Sequence, residues 1–218
     1  MASIDESLHP SGSVPAPEDI IGETGAATWG NSAPLGLAAF AVTTFMLSMI
    51  NTGIVNVGVE PVVFGVALMF GGLAQLIAGV IQFRTGNTFT GVLFGTFGAF
   101  WLSLYAIAEF FLKGVPAAQV GHALGLFLIA FGIFTVWIWI ASFRTSIVTV
   151  VALADLAATL FVLGAGNYGG GGAITTTVKV GGVLGLIVAF LAAYLSCAEL
   201  CEGAYGRSVL PVWPLARP

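Results

Sequence analysis

Past position 30 the chain is a succession of long apolar runs separated by short polar breaks. The runs cover roughly 34–54, 61–83, 88–112, 118–142, 145–165 and 177–200, and each is close to the roughly 20 residues a helix needs to cross about 30 Å of hydrocarbon. A membrane β-barrel would show alternating segments of about 10 residues, and none of these runs keeps a period of two. The pattern predicts six transmembrane helices. The breaks are small: Arg84-Thr85-Gly86-Asn87 separates the second and third runs, and Phe143-Arg144-Thr145-Ser146 the fourth and fifth. Connections this short make the helices antiparallel neighbours and leave no room for a soluble domain between them.

Composition removes the alternative of a buried soluble core. Between Pro34 and Ala198 the charged residues are only Glu60, Arg84, Glu109, Lys113, Arg144, Asp155 and Lys179, with Glu199 next in line. The whole chain is 7% charged at a mean hydropathy of +1.03, where a soluble domain carries about a quarter. The fold class is an all-α integral membrane protein. Three regions are expected: a polar N-terminal tail over 1–30, a six-helix transmembrane domain over 31–203 and a C-terminal tail over 204–218. The first tail holds Asp5, Glu6, Glu18, Asp19 and Glu23 without Lys or Arg, so it reads as disordered and lacks the basic start of a signal peptide. The bias of Lys and Arg sets orientation. Arg84, Arg144, Arg207 and Arg217 would lie on one side and Lys113 and Lys179 on the other, which favours cytoplasmic termini in a multi-pass protein of the plasma membrane. Trp29 and Trp213 flank the spans as interfacial anchors.

Glycine is the next signal, with 30 residues, many at helical spacing. Gly65, Gly72 and Gly79 recur every seventh position, and Gly91/Gly95, Gly121/Gly125 and Gly181/Gly185 each form a small-xxx-small pair. Small residues let lipid-embedded helices approach closely, and some of these glycines could instead line a narrow path. The run from Gly169 to Gly172 reads as a flexible loop, since it lacks the Lys-Ser/Thr of a phosphate-binding loop. Phe83-Arg84-Thr85 and Phe143-Arg144-Thr145 stand apart by about the length of two helices with their loops. This suggests three two-helix hairpins in series, arranged around a central site as parallel repeats tend to be.

Ionisable and nucleophilic chemistry is sparse. Asp155 lies near the middle of the fifth run, where an ionised carboxylate is costly, and reads either as a proton carrier for symport or as a hydrogen-bonded packing residue. Glu109 can meet Lys113 at i+4. Cys197 and Cys201 share a helical face but have no neighbouring His, which makes a poor zinc site, and no metal or cofactor is expected. His9 and His122 are isolated. No Ser-His-Asp set, HExxH or nucleotide motif is present, which argues against an enzyme, and the scarcity of basic residues argues against nucleic-acid binding.

Asn31-Ser32-Ala33-Pro34-Leu35-Gly36-Leu37 resembles the Asn-Pro-Ala-Pro-Leu-Gly-Leu signature that opens the acetate uptake transporter family, the succinate-acetate permeases. The likeness continues through Phe70-Gly71-Gly72-Leu73-Ala74-Gln75, Gly86-Asn87-Thr88-Phe89, Gly98-Ala99-Phe100-Trp101-Leu102 and Gly206-Arg207-Ser208-Val209-Leu210-Pro211. One departure falls in the signature, where Ser32 stands for the first proline and Pro34 is retained. The resemblance implies a six-helix protomer, usually in a hexamer, with a path for acetate and related small carboxylates such as succinate through each protomer. It also implies a hydrophobic constriction midway, which matches to Phe40, Phe97 and Leu156, with Phe97 in place of the family's Tyr. The near-equal spacing of these three agrees with the hairpin repeat.

A ring of apolar side chains dewets and resists ions, so a small acid should pass most easily when neutral, and polar groups flanking the ring should assist it. Gln75, Asn87, Thr88 and either Thr43 or Thr44, one turn from Phe40, are the candidates, each also explicable by interhelical hydrogen bonding. Channel and proton-coupled carrier both remain open on this reading, with the lipid bilayer and small carboxylates as partners. The alternatives are a urea or amide channel, which the signature opposes, and a non-conducting membrane scaffold, which the lack of a soluble readout domain opposes.

Overall fold

Six long helices account for nearly all of residues 29–215, which are the residues described in this computed structural model. The first 28 residues of the tail expected over 1–30 and the last residues, 216–218, lie outside them. The helices are α1 (Ala33–Asn51), α2 (Val57–Arg84), α3 (Thr88–Gly114), α4 (Ala117–Arg144), α5 (Ile147–Gly170) and α6 (Thr176–Tyr205). All six are long and apolar enough to span a bilayer. Among the described residues the only β-type pairing is an isolated bridge between Ser146 and Pro214.

Polar side chains at the run boundaries start the helices. The side chains of Asn87, Ser146 and Thr175 accept hydrogen bonds from the backbone N–H groups of Thr90, Thr149 and Val178, which otherwise lack partners in a first turn. Pro34 sits in the first turn of α1, where its missing N–H costs nothing. Gly171 and Gly206, at φ +63° and +65°, close α5 and α6 in the left-handed conformation. The reading of 169–172 as a loop is corrected at this point. Gly169 and Gly170 are helical, and only Gly171 and Gly172 turn, because the Asn167 carbonyl captures both of their N–H groups. Two helices contain π-turns, Ala67–Ala74 in α2 and Ile107–Phe111 in α3. The wider turn in α2 ends directly before Gln75 and alters the angle at which the following residues leave the helix.

The helices form a ring in sequence order, closed by α6 packing along α1. The tightest pairings are α6 with α1, α2 with α3 and α4 with α5, while α3 meets α4 only lightly. Close packing thus runs more tightly between the sequence hairpins than within them, and glycines explain where. Gly182 faces the backbone at Asn51 and Thr52, Gly79 faces Gly91 and Gly95, and Gly125 faces Gly164 and Tyr168. Without side chains at these crossings, backbones approach and gain van der Waals contact that lipid cannot supply.

Candidate functional site

Two cavities lie along the middle of the ring, and the same three side chains stand between them. The larger, about 270 Å³, opens toward the end of the bundle that carries Arg84 and Arg144 and is lined by the first turns of α3 and α5 and the last turns of α6. The smaller, about 40 Å³, lies toward the end that carries Lys113 and Lys179 and reaches Ser48 and Asn51 of α1. Phe40 of α1, Phe97 of α3 and Leu156 of α5 line both. All three are buried. The Phe40 and Phe97 rings meet edge to face with centroids 5.4 Å apart and planes at 75°, a favoured aromatic geometry.

Phe97 is braced from behind. Its ring contacts Phe100, which stacks on Phe127 and meets Phe131 edge-on, all with centroids between 5.0 and 6.1 Å. Phe127 and Phe131 belong to α4, so this aromatic cluster is where α4 supports α3. Sequence reading did not single out this brace, and only the repeated Phe residues of the fourth run hinted at it.

The polar candidates divide by position. Gln75 and Asn87 line the larger cavity. Gln75 is 1% exposed, and its Oε1 has no hydrogen-bond partner. Thr44 lines the smaller cavity with its hydroxyl likewise unpartnered. Thr43 faces neither cavity: its hydroxyl donates to the Ala39 carbonyl at 2.8 Å and its side chain fills the space left by Gly71 of α2. Thr88 is exposed and outside both linings, whereas Thr90, Thr145 and Thr149, which sequence reading missed, line the larger cavity. Asp155 lines neither cavity and faces the Val188 region of α6, with its Oδ2 buried and unpartnered. Among the described residues no group of three or more His, Cys, Asp or Glu could hold a metal ion.

The segment from Asn31 to Pro34 ties helices together at the arginine end. Asn31 Nδ2 donates to Glu199 Oε2 of α6 at 2.9 Å, while Asn31 Oδ1 accepts from Gln82 Nε2 of α2 at 3.0 Å and from the Ala33 N–H at 2.9 Å. One side chain therefore ties three helix ends together. Ser32 joins the same network, donating to the Ala78 carbonyl at 2.8 Å and accepting from Gln82 Nε2 at 3.0 Å. The hydroxyl that replaces proline is thus bonded, and Pro34 adds a further tie by accepting from Ser196 Oγ at 2.7 Å. Ser32→Ala should leave one buried Gln82 Nε2 donor without its partner and remove the side-chain bond to the Ala78 carbonyl, at a cost of about 1–3 kcal/mol. Thermal unfolding in detergent should show a lowered midpoint, and an unchanged midpoint would mean that the hydroxyl contributes nothing net.

Beside this network lies a wider cavity of about 740 Å³, which shares Thr145, Thr149, Leu195 and Glu199 with the central one. Its wall includes Leu210, Val212 and Pro214 from the segment after α6. That segment is tied down by hydrogen bonds from the Ile147 N–H to the Trp213 carbonyl at 3.0 Å, from the Leu215 N–H to the Thr145 carbonyl at 2.8 Å and from Tyr194 Oη to the Pro211 carbonyl at 2.8 Å.

The geometry agrees with what the chain is similar to. Residues 17–217 match the model of the GPR1/FUN34/yaaH family. The chain is 37% identical over 193 residues to Ammonia transport outward protein 2 of Saccharomyces cerevisiae, covering 86% of this chain and 67% of that longer one. It is 32% identical over 182 residues to the succinate-acetate/proton symporter SatP of Escherichia coli, covering 84% of this chain and 94% of the relative. The solved structure of the bacterial acetate channel SatP superposes with a TM-score of 0.76 at 32% identity, over 85% of this chain and 99% of that one. With six helices long and apolar enough to span a membrane and a family match over nearly its whole length, the chain belongs to the GPR1/FUN34/yaaH family.

Proposed function

We propose that this protein is a membrane transporter or channel for acetate and related small carboxylates such as succinate, with its constriction at Phe40, Phe97 and Leu156. The observation that carries the reading is the position of these three side chains between two cavities on one axis. An apolar neck of this kind excludes hydrated ions by dewetting, and a carboxylate in hydrocarbon-like surroundings is costly, so passage favours the neutral acid or the anion moving with a proton. Gln75, Asn87 and Thr90 offer hydrogen bonds to a carboxylate waiting in the larger cavity, and that cavity has room for such a solute with some water. The names of the bacterial relative and of the solved channel support the substrate class. No catalytic step is proposed.

By resemblance the protein assembles as a homo-oligomer, a hexamer, in the plasma membrane. The arginine end is taken as cytoplasmic from the Lys and Arg bias. A second reading, passage of neutral ammonia, is favoured by the name of the yeast relative and fits the same apolar neck.

Purified protein in liposomes should take up labelled acetate faster than protein-free liposomes, and unlabelled acetate should compete. Uptake no faster than in protein-free vesicles would overturn the carboxylate reading. Alkalinisation of the lumen by ammonium without any acetate flux would replace it with the ammonia reading.

A further inference from the structure

We infer that Glu199 is the group that exchanges a proton with the carboxylate at the arginine-end mouth of the path, an inference that rests on the carboxylate reading above. Glu199 is the one ionisable side chain among the residues lining the central cavity. It also lines the wider cavity alongside, so it stands where a solute leaving one enters the other. Its Oε2 is held by Asn31, which Gln82 anchors in turn. This fixes the direction of the carboxyl group while Oε1 takes no hydrogen bond from a side chain among the described residues.

The neck sets the requirement. A carboxylate that must cross a ring of Phe40, Phe97 and Leu156 crosses at least cost when neutral, so the proton has to join it on the cavity side, before the ring. The step balances simply. The O–H bond of the Glu199 carboxyl breaks, its proton moves to a carboxylate oxygen of the substrate, and neutral acid and glutamate remain. Water in the wider cavity then returns a proton from the bulk, and release in the opposite direction reverses the sequence.

No other charged group competes for this role at the cavity. The side chains that α1, α2, α3 and α5 present to it are uncharged. Glu202, also on α6, lines the wider cavity but not the central one, and Arg84, Arg144 and Arg207 are exposed. Asp155, although closer to the neck in sequence, faces α6 from outside both linings.

The test compares acetate accumulation driven by an inward proton gradient with acetate exchange at equal pH, in liposomes holding the wild type, Glu199→Gln, Glu199→Asp or Asp155→Asn. Protein-free diffusion is subtracted, and each preparation is first shown to be folded by gel filtration. The wild type should accumulate acetate above equilibrium. Glu199→Gln should lower the ratio of accumulation to exchange about tenfold or more, at the small end of what a positioned proton donor supplies. Glu199→Asp should restore part of that ratio, and Asp155→Asn should keep it. Wild-type accumulation in Glu199→Gln, or its loss in Asp155→Asn, overturns the inference. A wild type that exchanges acetate but accumulates none also overturns it, and leaves the carboxylate path standing. A wild type that does not exchange acetate at all removes the functional reading itself.

Discussion

Replacing Phe40 by Ala should join the two central cavities and raise the flux of carboxylates, with bulky or doubly charged acids gaining more than acetate. The ring of Phe40 is one of two aromatic walls of the proposed neck and meets the Phe97 ring edge to face with centroids 5.4 Å apart. Removing it merges spaces of about 270 and 40 Å³ through an opening the size of the lost side chain. A dewetted neck that becomes wide enough to hold water loses most of its barrier to charged solutes. A gain of about tenfold in succinate flux corresponds to only about 1.4 kcal/mol of barrier, well within what opening an apolar constriction changes. Truncating a buried Phe typically costs about 3–5 kcal/mol in soluble proteins, so Phe40→Leu is the companion variant, keeping apolar bulk while narrowing the loss. Counterflow of labelled acetate and succinate in liposomes reads the effect. Equal succinate-to-acetate ratios in the wild type and both variants would remove Phe40 from the constriction.

Gly79→Val should prevent assembly of a folded bundle, while Gly95→Ala, one helix away at the same crossing, should be tolerated. A Cβ at Gly79 would stand 2.6 Å from the Gly95 backbone nitrogen and 3.1 Å from both the Gly91 carbonyl oxygen and Gly95 Cα. All three are backbone atoms of α3, which cannot swing aside as the end of a side chain can. Relief requires the α2–α3 pair to separate, and this pair is among the tightest in the ring. Overpacking costs about 1–3 kcal/mol when neighbours can adjust and more when they cannot; here the loss spreads along the whole contact. A Cβ at Gly95 would find only the Phe83 ring edge, at 4.0 Å, which is ordinary contact. Gel filtration in detergent and thermal unfolding distinguish the two, and a Gly79→Val protein with wild-type elution and midpoint would show that the crossing is looser than these distances imply.

Legibility differed sharply between fold and site. Six spans were readable because hydrocarbon demands long uncharged runs and tolerates few breaks. The polar breaks between runs located the helix starts, while the capping of first turns by Asn87, Ser146 and Thr175 was visible only in the structure. Which threonine faces the path was not readable. Thr43 and Thr44 are adjacent in sequence, yet one packs against Gly71 and the other lines the smaller cavity. Adjacent residues on a helix point about 100° apart, and nothing in a uniformly apolar run says which direction is inward. Glu199 illustrates the same gap: nothing in the sequence set it apart from the other charged residues near span ends, and only the meeting of α1, α2 and α6 through Asn31 and Gln82 put it on the cavity wall.

The sequence by itself determined the number of spans, their alternation across the bilayer and the glycines that permit close crossings. These depend on composition summed along a segment, and a bilayer reads composition in that way. The rotation of each helix about its axis was decided only by tertiary structure, and with it the cavity, the neck and the residues that face them. A soluble helix advertises its inward face through an apolar stripe opposite a polar one. These helices are apolar toward lipid and toward the neck alike, so their phase is set by three other things. Glycines fix where backbones meet, π-turns such as Ala67–Ala74 rotate the next stretch of helix, and polar ties hold the helix ends together.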